Sequence, residues 1–313
     1  MKVIIQIPCY NEEKTLPLVI KELPKRIEGV DKIEILVIND GSTDKTIEVA
    51  RALGVQHILT LPKQRGLASV FKAGLDRALE LGADIIVNTD GDNQYKGGDI
   101  PALIAPILHR TSEITIGCRM MDQIQHFSFT KKTLQRFGSY MVRKFSKTTV
   151  PDTTSGFRAF SRDAALRVNI FSSYTYTLET LIQAGRAGIA ISHIDITTNE
   201  KLRESRLIRS IPVYIVRSLA TMMRVYLMYE PLRTFVKISM FPLVIGAAFI
   251  VRFFVAHFTQ AQGGHIQSLI IAAILVIVGS GIITIGLLGD LISANRKLSE
   301  DILYRLKKRD LSA

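Results

Sequence analysis

The chain has 313 residues, 47% hydrophobic and 22% charged, which is too apolar for disorder and long enough for one large domain with an appendage, or for two domains. Its 40 Lys and Arg against 28 Asp and Glu leave a net charge of +12, a surplus that favours an anionic partner such as nucleic acid, anionic lipid or a phosphorylated substrate. Two cysteines, Cys9 and Cys118, exclude a disulfide framework and a cysteine-built zinc site.

The charge is unevenly placed. Residues 1–118 carry 14 basic and 16 acidic side chains, whereas residues 119–167 carry 10 and 3, and residues 201–237 carry 8 and 2. An acidic first third followed by two basic blocks lacks the continuous basic stripe or arm of a nucleic-acid binder. No helix-turn-helix, zinc-finger or RNP-type motif is present either, so nucleic acid is set aside as a partner.

Residues 1–200 read as alternating strands and helices. Val3–Ile7 is a short apolar run that ends at Pro8, Cys9, Tyr10 and Asn11, and a helical stretch follows from Glu12 to Lys25. Ile33–Ile38 predicts a second buried strand closing on Asn39, Asp40, Gly41 and Ser42, with a helix over Thr43–Leu53. His57–Leu61 predicts a third strand, Ala68–Leu81 an amphipathic helix, and Asp84–Asn88 a strand running into Thr89, Asp90, Gly91 and Asp92. Strands and helices in this alternation predict βαβ units and a parallel sheet, whose ligands bind beyond the carboxyl ends of the strands. The polar clusters Tyr10–Glu12, Asp40–Ser42 and Asp90–Gln94 all fall at such ends. The chain has neither a GxGxxG nor a GxxxxGK[ST] sequence, so the dinucleotide fingerprint and the P-loop find no support.

Asp90 and Asp92 flank a glycine directly after an apolar strand. Two carboxylates at this spacing in a turn can face one hard divalent cation, Mg2+ or Mn2+, with Gln94 as a third oxygen donor. Such an ion would bridge a diphosphate and offset the charge it develops as a leaving group. A lone Asp-x-Asp pair also arises in ordinary solvated turns. His57 and His193 read as surface and strand residues without a ligand pattern, and Cys9 and Cys118 as small buried thiols.

Past Glu200, Arg209, Arg217 and Arg224 recur on one face of a predicted helix over Ser210–Tyr229, while Leu219, Met222, Met223, Tyr226 and Leu227 fill much of the rest. This suits a helix lying in a headgroup layer, or an amphipathic helix packed on the soluble domain. Leu269–Gly289 contains no charge and matches the hydrocarbon core of ~30 Å at 1.5 Å per residue. A second span, Phe235–Phe258, carries only Lys237 and Arg252, each near an end and able to snorkel. The turn Ala256–Ser268 has no Lys or Arg, whereas Arg233, Lys237, Arg296, Lys297, Arg305, Lys307, Lys308 and Arg309 flank the pair. The positive-inside rule then predicts an integral membrane protein with both termini and the catalytic domain in the cytoplasm. Gly246, Ala247 and Ala248 on one span and Gly279, Ser280 and Gly281 on the other let helices approach closely, and a pair of spans leaves room for a homo-oligomer. The segments expected are a catalytic domain over 1–200, a basic and interfacial segment over 201–233, a hairpin over 234–292 with spans near 235–257 and 267–290, and a basic tail over 293–313.

The succession IPCYNEE (Ile7–Glu13), VINDGSTD (Val37–Asp44), RGLASVFKAGLDRA (Arg65–Ala78), DGDNQY (Asp90–Tyr95), GCR (Gly117–Arg119) and TTSGFRAF (Thr153–Phe160) resembles the family 2 glycosyltransferases with the GT-A fold. Within them it looks most like the branch of dolichyl-phosphate mannose synthase and its bacterial polyprenyl-phosphate relatives. The six motifs span about 160 residues in order and are specific as a set.

The resemblance implies an α/β fold of GT-A type: a Rossmann-like, mostly parallel sheet with flanking helices, followed by interfacial helices and a two-helix transmembrane hairpin. It implies that Pro8, Tyr10, Asn11 and Glu12 line the nucleotide pocket, that Asp40 contacts the base or ribose, and that Gly66 and Leu67 border the nucleotide. Asp90, Asp92 and Gln94 would hold Mg2+ or Mn2+ on the diphosphate. Arg119 and Lys131 would meet the acceptor phosphate, with Ser155 and Arg158 shaping that side and Arg203 and Arg206 in a basic segment near the diphosphate. The catalytic set so implied is Asp92, Arg119, Lys131 and Arg203. The sequence departs from the family at Asn39, where an Asp is frequent, at Lys131 and Gln135, where close relatives tend to have Arg and Ser, and at RESRL (Arg203–Leu207). With no Trp in the chain, the QxxRW motif of processive polysaccharide synthases is excluded.

The activity implied is inverting transfer of one sugar from a UDP- or GDP-sugar to undecaprenyl or dolichyl phosphate. A phosphate acceptor is already anionic and needs no strong base, so positioning and charge neutralisation carry the reaction. A hydroxyl acceptor on a lipid-linked saccharide is the alternative, and would need a carboxylate base, for which Glu179 in YTLETLIQ is the candidate. A non-catalytic membrane adaptor that keeps the fold is a third reading.

Overall fold

A computed structural model describes residues 1–119, 148–170, 176–200, 226–259 and 266–311, with residues 143, 146, 220, 223 and 224. Lys131, Gln135, Arg203, Arg206, Arg209 and Arg217 lie outside the described residues, as does most of the helix expected over Ser210–Tyr229. Two compact units result, Met1–Met222 with Leu303–Ala313, and Met223–Ile302.

The first unit is built on a sheet. β1 (Lys2–Cys9), β2 (Lys32–Asn39), β3 (His57–Thr60) and β4 (Ile85–Asn88) alternate with α1 (Leu16–Glu22), α2 (Thr46–Ala52) and α3 (Leu67–Glu80). A short 3-10 turn, Gly97–Asp99, leads into α4 (Ile100–Leu108). Then come β5 (Ile114–Arg119), β6 (Arg158–Ser161), α5 (Arg162–Arg167), α6 (Thr177–Arg186) and β7 (Ile191–Ile196). The strands stand in the order β3-β2-β1-β4-β6-β5-β7. β1 to β4 pair in parallel, and only β6 runs against its neighbours β4 and β5.

The burial pattern explains the strands. Val3, Ile4, Ile5 and Ile7 of β1 are wholly buried, as are Leu36, Val37 and Ile38 of β2 and Ile85, Ile86 and Val87 of β4. Continuous apolar runs suit strands covered on both faces. Helix α3 covers one face with Ala68, Phe71, Leu75, Ala78 and Leu79, a spacing that keeps one helical stripe turned to the sheet. Because the chain runs β1–β2–β3 outward and returns to place β4 on the other side of β1, the topology reverses between β1 and β4. The crevice outside their carboxyl ends is where such sheets bind ligands.

The end of the chain also belongs to this unit. Lys307 Nζ reaches Asp76 of α3 at 2.8 Å, Tyr304 donates its hydroxyl proton to Asp163 of α5, and Arg162 donates to the carbonyl of Leu311 at 3.3 Å. The Arg167 guanidinium lies 5.1 Å from the centre of the Tyr304 ring.

The second unit holds α7 (Pro231–Phe258) and most of α8 (Ile266–Asp310), two helices long and apolar enough to cross a membrane. Exposed Phe241, Val244, Phe258, Ile277 and Ile292 give them an apolar outer surface. α8 buries Ser268, Ala272, Gly279, Gly286 and Ser293, so from Ala272 onward small residues recur at intervals of seven. Leu243 packs over Gly279, Phe235 over Gly286 and Pro231 over Gly289, and Gly246 receives Leu275 and Val276 in return. A seven-residue repeat of small side chains brings two helix backbones together along one seam. The stretch expected as a span over 267–290 and a tail over 293–313 is one helix, since no Pro or Gly interrupts it after Gly289 and Arg296 supports Glu300 one turn on at 2.8 Å.

Candidate active site

The rim forms from three loops that leave β1, β2 and β4. Asn11, in the left-handed region at φ 57°, receives its shape from its partners: its amide nitrogen donates to Ser42 Oγ at 2.9 Å, and its Oδ1 accepts from Thr43 N at 2.8 Å. The neighbouring Glu12 amide donates to Thr46 Oγ1 at 2.9 Å, and the Glu12 carboxylate accepts from Thr15 Oγ1 at 2.7 Å. Loops 1 and 2 are therefore joined by polar side chains. Asp40 is 5% exposed and accepts from the Arg65 and Gly66 amides at 2.7 and 3.0 Å, which fixes the strap running from β3 into α3. Asn39 accepts from Ser42 N at 3.1 Å and so closes the turn.

Asp90, Asp92 and Gln94 are half-buried and alternate with the buried Gly91, Asn93 and Tyr95, and Asp92 Oδ1 accepts from Gln94 N at 3.2 Å. Gly91 is pressed on the β1 loop: a Cβ there would lie 3.1 Å from Pro8 O, 3.2 Å from Cys9 Sγ and 3.3 Å from Glu12 Cγ. At Gly156 a Cβ would stand 2.9 Å from Tyr176 Oη and 3.2 and 3.3 Å from the Asp90 oxygens, so the carboxylate rests on this glycine. Behind it runs a buried polar chain. Gln6 Nε2 donates to Asn88 Oδ1 at 2.8 Å, and Asn88 Nδ2 donates to Gly156 O at 2.8 Å and to Tyr176 Oη at 2.9 Å.

Tyr95 links this loop to the next strands. Its hydroxyl accepts from Gly156 N at 3.0 Å, its ring stacks on Phe157 at 5.2 Å, and its backbone bridges to Thr198. Burial pushes its phenol up to about 12, so the hydroxyl stays neutral at ordinary pH. Asn199 N donates to Gln94 O at 3.0 Å, and its side chain reaches the Glu22 carboxylate at 3.1 Å.

Arg119, at the end of β5, faces Asp152 and Thr154 from the loop before β6. Nε donates to Asp152 Oδ2 at 2.7 Å, and Nη2 donates to Asp152 Oδ1 at 3.2 Å and to Thr154 Oγ1 at 2.9 Å. The pair is nearly dry, with side chains 14% and 1% exposed. Burial works against the Arg119 charge, and Tyr95, Asp152 and Asp90 together outweigh it and raise its pKa further. Burial likewise opposes ionisation of Asp152, but the Arg119 guanidinium holds that carboxyl below its usual range. Residues 152–156 join the acidic loop to this side chain: Gly156 lies against the Asp90 oxygens, while Asp152 and Thr154 hold Arg119.

Ser155 and Arg158 sit deeper. Ser155 is fully buried, and Arg158 is buried with Nε donating to Ser155 O at 2.8 Å, Nη1 to Thr177 O at 2.8 Å and Nη2 to Thr153 O at 3.1 Å. Its guanidinium is a strut that holds the 153–156 loop against α6, so it shapes the acceptor side from within rather than presenting donors to a phosphate. Glu179 is 2% exposed in the first turn of α6, with Gln183 Nε2 at 3.5 Å from its Oε1. Cys9 and Cys118 are buried thiols whose pKa burial raises, Cys118 to about 12.

The donors in the acidic loop fit a hard divalent cation. Two carboxylates and a side-chain amide, all half-buried, fall within one short turn, and Asn93 Oδ1 between them is buried with no hydrogen-bond donor. Among the described residues no group of three His, Cys, Asp or Glu side chains could hold a metal, so further ligands would come from a diphosphate and water. The sequence passed over Asp152, Thr154, Tyr95 and Tyr176 as parts of the site. Asp152 does directly precede a recognised motif, and Tyr95 ends another.

A sheet of this order, with its acidic loop at the switch point, defines a domain of GT-A type. The profile described as Glycosyl transferase family 2 matches residues 4–168, and the chain belongs to that family. The undecaprenyl-phosphate mannosyltransferase of Micrococcus luteus is 27% identical over 218 residues, 66% of this chain and 88% of the relative. The UDP-N-acetylglucosamine--dolichyl-phosphate N-acetylglucosaminyltransferase of Methanococcus voltae is 28% identical over 220 residues, 61% of this chain and 83% of the relative. Among solved structures, glucosyl-3-phosphoglycerate synthase from Mycobacterium tuberculosis, in complex with Mn2+, UDP and glucosyl-3-phosphoglycerate, superposes with a TM-score of 0.57 at 20% identity, covering 71% of this chain and 79% of that one. That likeness carries the fold.

Proposed function

We propose that this glycosyltransferase moves a single sugar from a nucleoside-diphosphate sugar to a polyprenyl phosphate at the cytoplasmic face of a membrane, with inversion at the anomeric carbon. The observation that carries the reading is the pairing of an acidic, partly exposed loop, Asp90–Asp92–Gln94, with a buffered guanidinium, Arg119, in one rim. The named relatives and the two apolar helices support a lipid-linked anionic acceptor.

The nucleotide would lie over Pro8–Glu12 and the strap at Gly66 and Leu67, with Asp40 bracing that strap through the Arg65 and Gly66 amides. A bound Mg2+ or Mn2+, held by Asp90, Asp92 and Gln94, would offset the charge that builds on the departing diphosphate. Arg119 would orient the acceptor so that a phosphate oxygen attacks the anomeric carbon from the side opposite the leaving group. No proton has to be removed from an ionised phosphate, so the reaction needs no carboxylate base. Lys131, Arg203 and Arg206 would add charge for the two phosphates as they approach. The positive-inside distribution of Lys and Arg supports cytoplasmic termini under this reading.

The test is direct. Purified full-length protein in detergent or vesicles is incubated with a panel of UDP- and GDP-sugars, undecaprenyl or dolichyl phosphate, and Mn2+ or Mg2+. A lipid-linked monosaccharide from at least one donor is expected; none from any donor overturns the proposal.

A further inference from the structure

We propose that Asp152 is a positioning residue: its buried carboxylate grips Arg119 along the Nε–Nη2 edge and holds the Nη1 end out as a preset donor for the acceptor phosphate. The role rests on the phosphate-acceptor reading above and deepens it.

The contacts form a closed triangle. Arg119 Nε and Nη2 both donate to Asp152, Nη2 donates as well to Thr154 Oγ1, and Thr154 returns its hydroxyl proton to Asp152 Oδ1 at 2.9 Å. The Thr154 amide also donates to Asp152 Oδ1 at 3.2 Å, and the Arg119 amide to Oδ2 at 3.4 Å. The side chain that grips is almost wholly buried, while the one that is gripped keeps 14% of its surface. Among the described residues none accepts a proton from Arg119 Nη1. A free arginine loses side-chain entropy when fixed, and here the fixing precedes any ligand. The pair sums to zero charge. Arg119 therefore presents its Nη1 protons as aimed donors more than it acts as a bare cation.

This makes an outcome that charge counting reverses. If Asp152 merely diluted the charge of Arg119, its neutralisation would tighten acceptor binding. If it aims the guanidinium, Asp152→Asn raises the acceptor KM and lowers kcat/KM for acceptor roughly 10- to 100-fold, since misplacement by about an ångström costs that much. Calorimetric binding of the donor nucleotide with Mn2+ stays within about twofold of wild type. Unpairing a buried charge can itself unfold a chain. Thr154→Val, which removes one support and leaves the ion pair intact, is therefore measured alongside, with a smaller rise in acceptor KM and an unchanged nucleotide titration expected.

The deciding comparison is the double variant. If Asp152 works through Arg119, Arg119→Gln/Asp152→Asn loses no more than Arg119→Gln alone. Losses that multiply, an acceptor KM that falls in Asp152→Asn, or an acceptor KM that Thr154→Val leaves unchanged overturn the positioning role while the phosphate-acceptor reading stands. Wild-type protein that binds nucleotide yet forms no lipid-linked sugar overturns that reading and the role with it.

Discussion

Gly156 is the point at which a single methyl group should separate folding from catalysis. A Cβ added there would lie 2.9 Å from Tyr176 Oη and 3.2 to 3.3 Å from the two Asp90 oxygens. Tyr176 cannot retreat: its ring stacks on Phe71 at 3.8 Å and 5°, and its hydroxyl is held by Asn88 Nδ2 at 2.9 Å. The half-buried Asp90 carboxylate has to give way, by a few tenths of an ångström. Overpacking of this kind costs roughly 1–3 kcal/mol of stability. A displacement well under 1 Å at a group that positions a reacting phosphate should lower kcat about tenfold, given that a full ångström costs ~100-fold. The assay is kcat across a Mn2+ titration for Gly156→Ala, with Gly98→Ala as control because nothing stands within 4 Å of a Cβ there. Wild-type rate and wild-type Mn2+ dependence in Gly156→Ala would refute the claim that Asp90 takes its position from this glycine.

Other expectations follow from the same geometry. Asp92→Ala should abolish turnover and Mn2+-dependent nucleotide binding while the circular dichroism spectrum is retained, and chelation should do the same to the wild type, reversibly. Glu34, hydrogen-bonded by Lys2, Lys32 and His57, is raised by burial but more strongly lowered by these partners, from 4.5 to about 2. Its stabilisation is present above pH 4.5 and lost as pH falls toward 2, so the melting temperature of Glu34→Gln should depend less on pH across that window than that of wild type. Gly279→Leu would drive a side chain into Leu243, whose Cδ2 and Cγ lie 2.6 Å from a Cβ there, and should weaken the α7–α8 hairpin in detergent by about 1–3 kcal/mol. Glu179→Gln should retain most of its acceptor turnover, measured as kcat, whereas a severe loss would favour a hydroxyl acceptor.

The parts of the fold that local pattern governs were readable from the chain. Buried parallel strands announce themselves as apolar runs that stop at polar loops, and β1, β2, β3 and β4 fall within a residue or two of where those runs suggest. Asp90 and Asp92 were visible because they close such a run. The antiparallel β6, only Arg158–Ser161, was not, because four residues of mixed polarity carry no period of their own and depend on pairing with β4 and β5. Asp152 escaped for a related reason: it lies 33 positions from Arg119, and only the β5–β6 pairing brings the two together. Arg158 illustrates the converse. Its motif suggested a residue that shapes the acceptor side, and only the structure shows the means, a buried guanidinium with four protein acceptors.

The small clasp at the end of β7 has its own consequence. Thr198 bridges to Tyr95, and Asn199 holds the Gln94 carbonyl with its amide and Glu22 with its side chain. The chain at residues 198–199 is thus a mooring between the end of α1 and the acidic loop. A pull on that mooring is felt first at Gln94. Asn199→Ala would release the side-chain hold on Glu22 and leave the backbone bonds to Gln94 and Tyr95 in place, so the acidic loop would stay tied to the end of β7 while its anchor on α1 is lost.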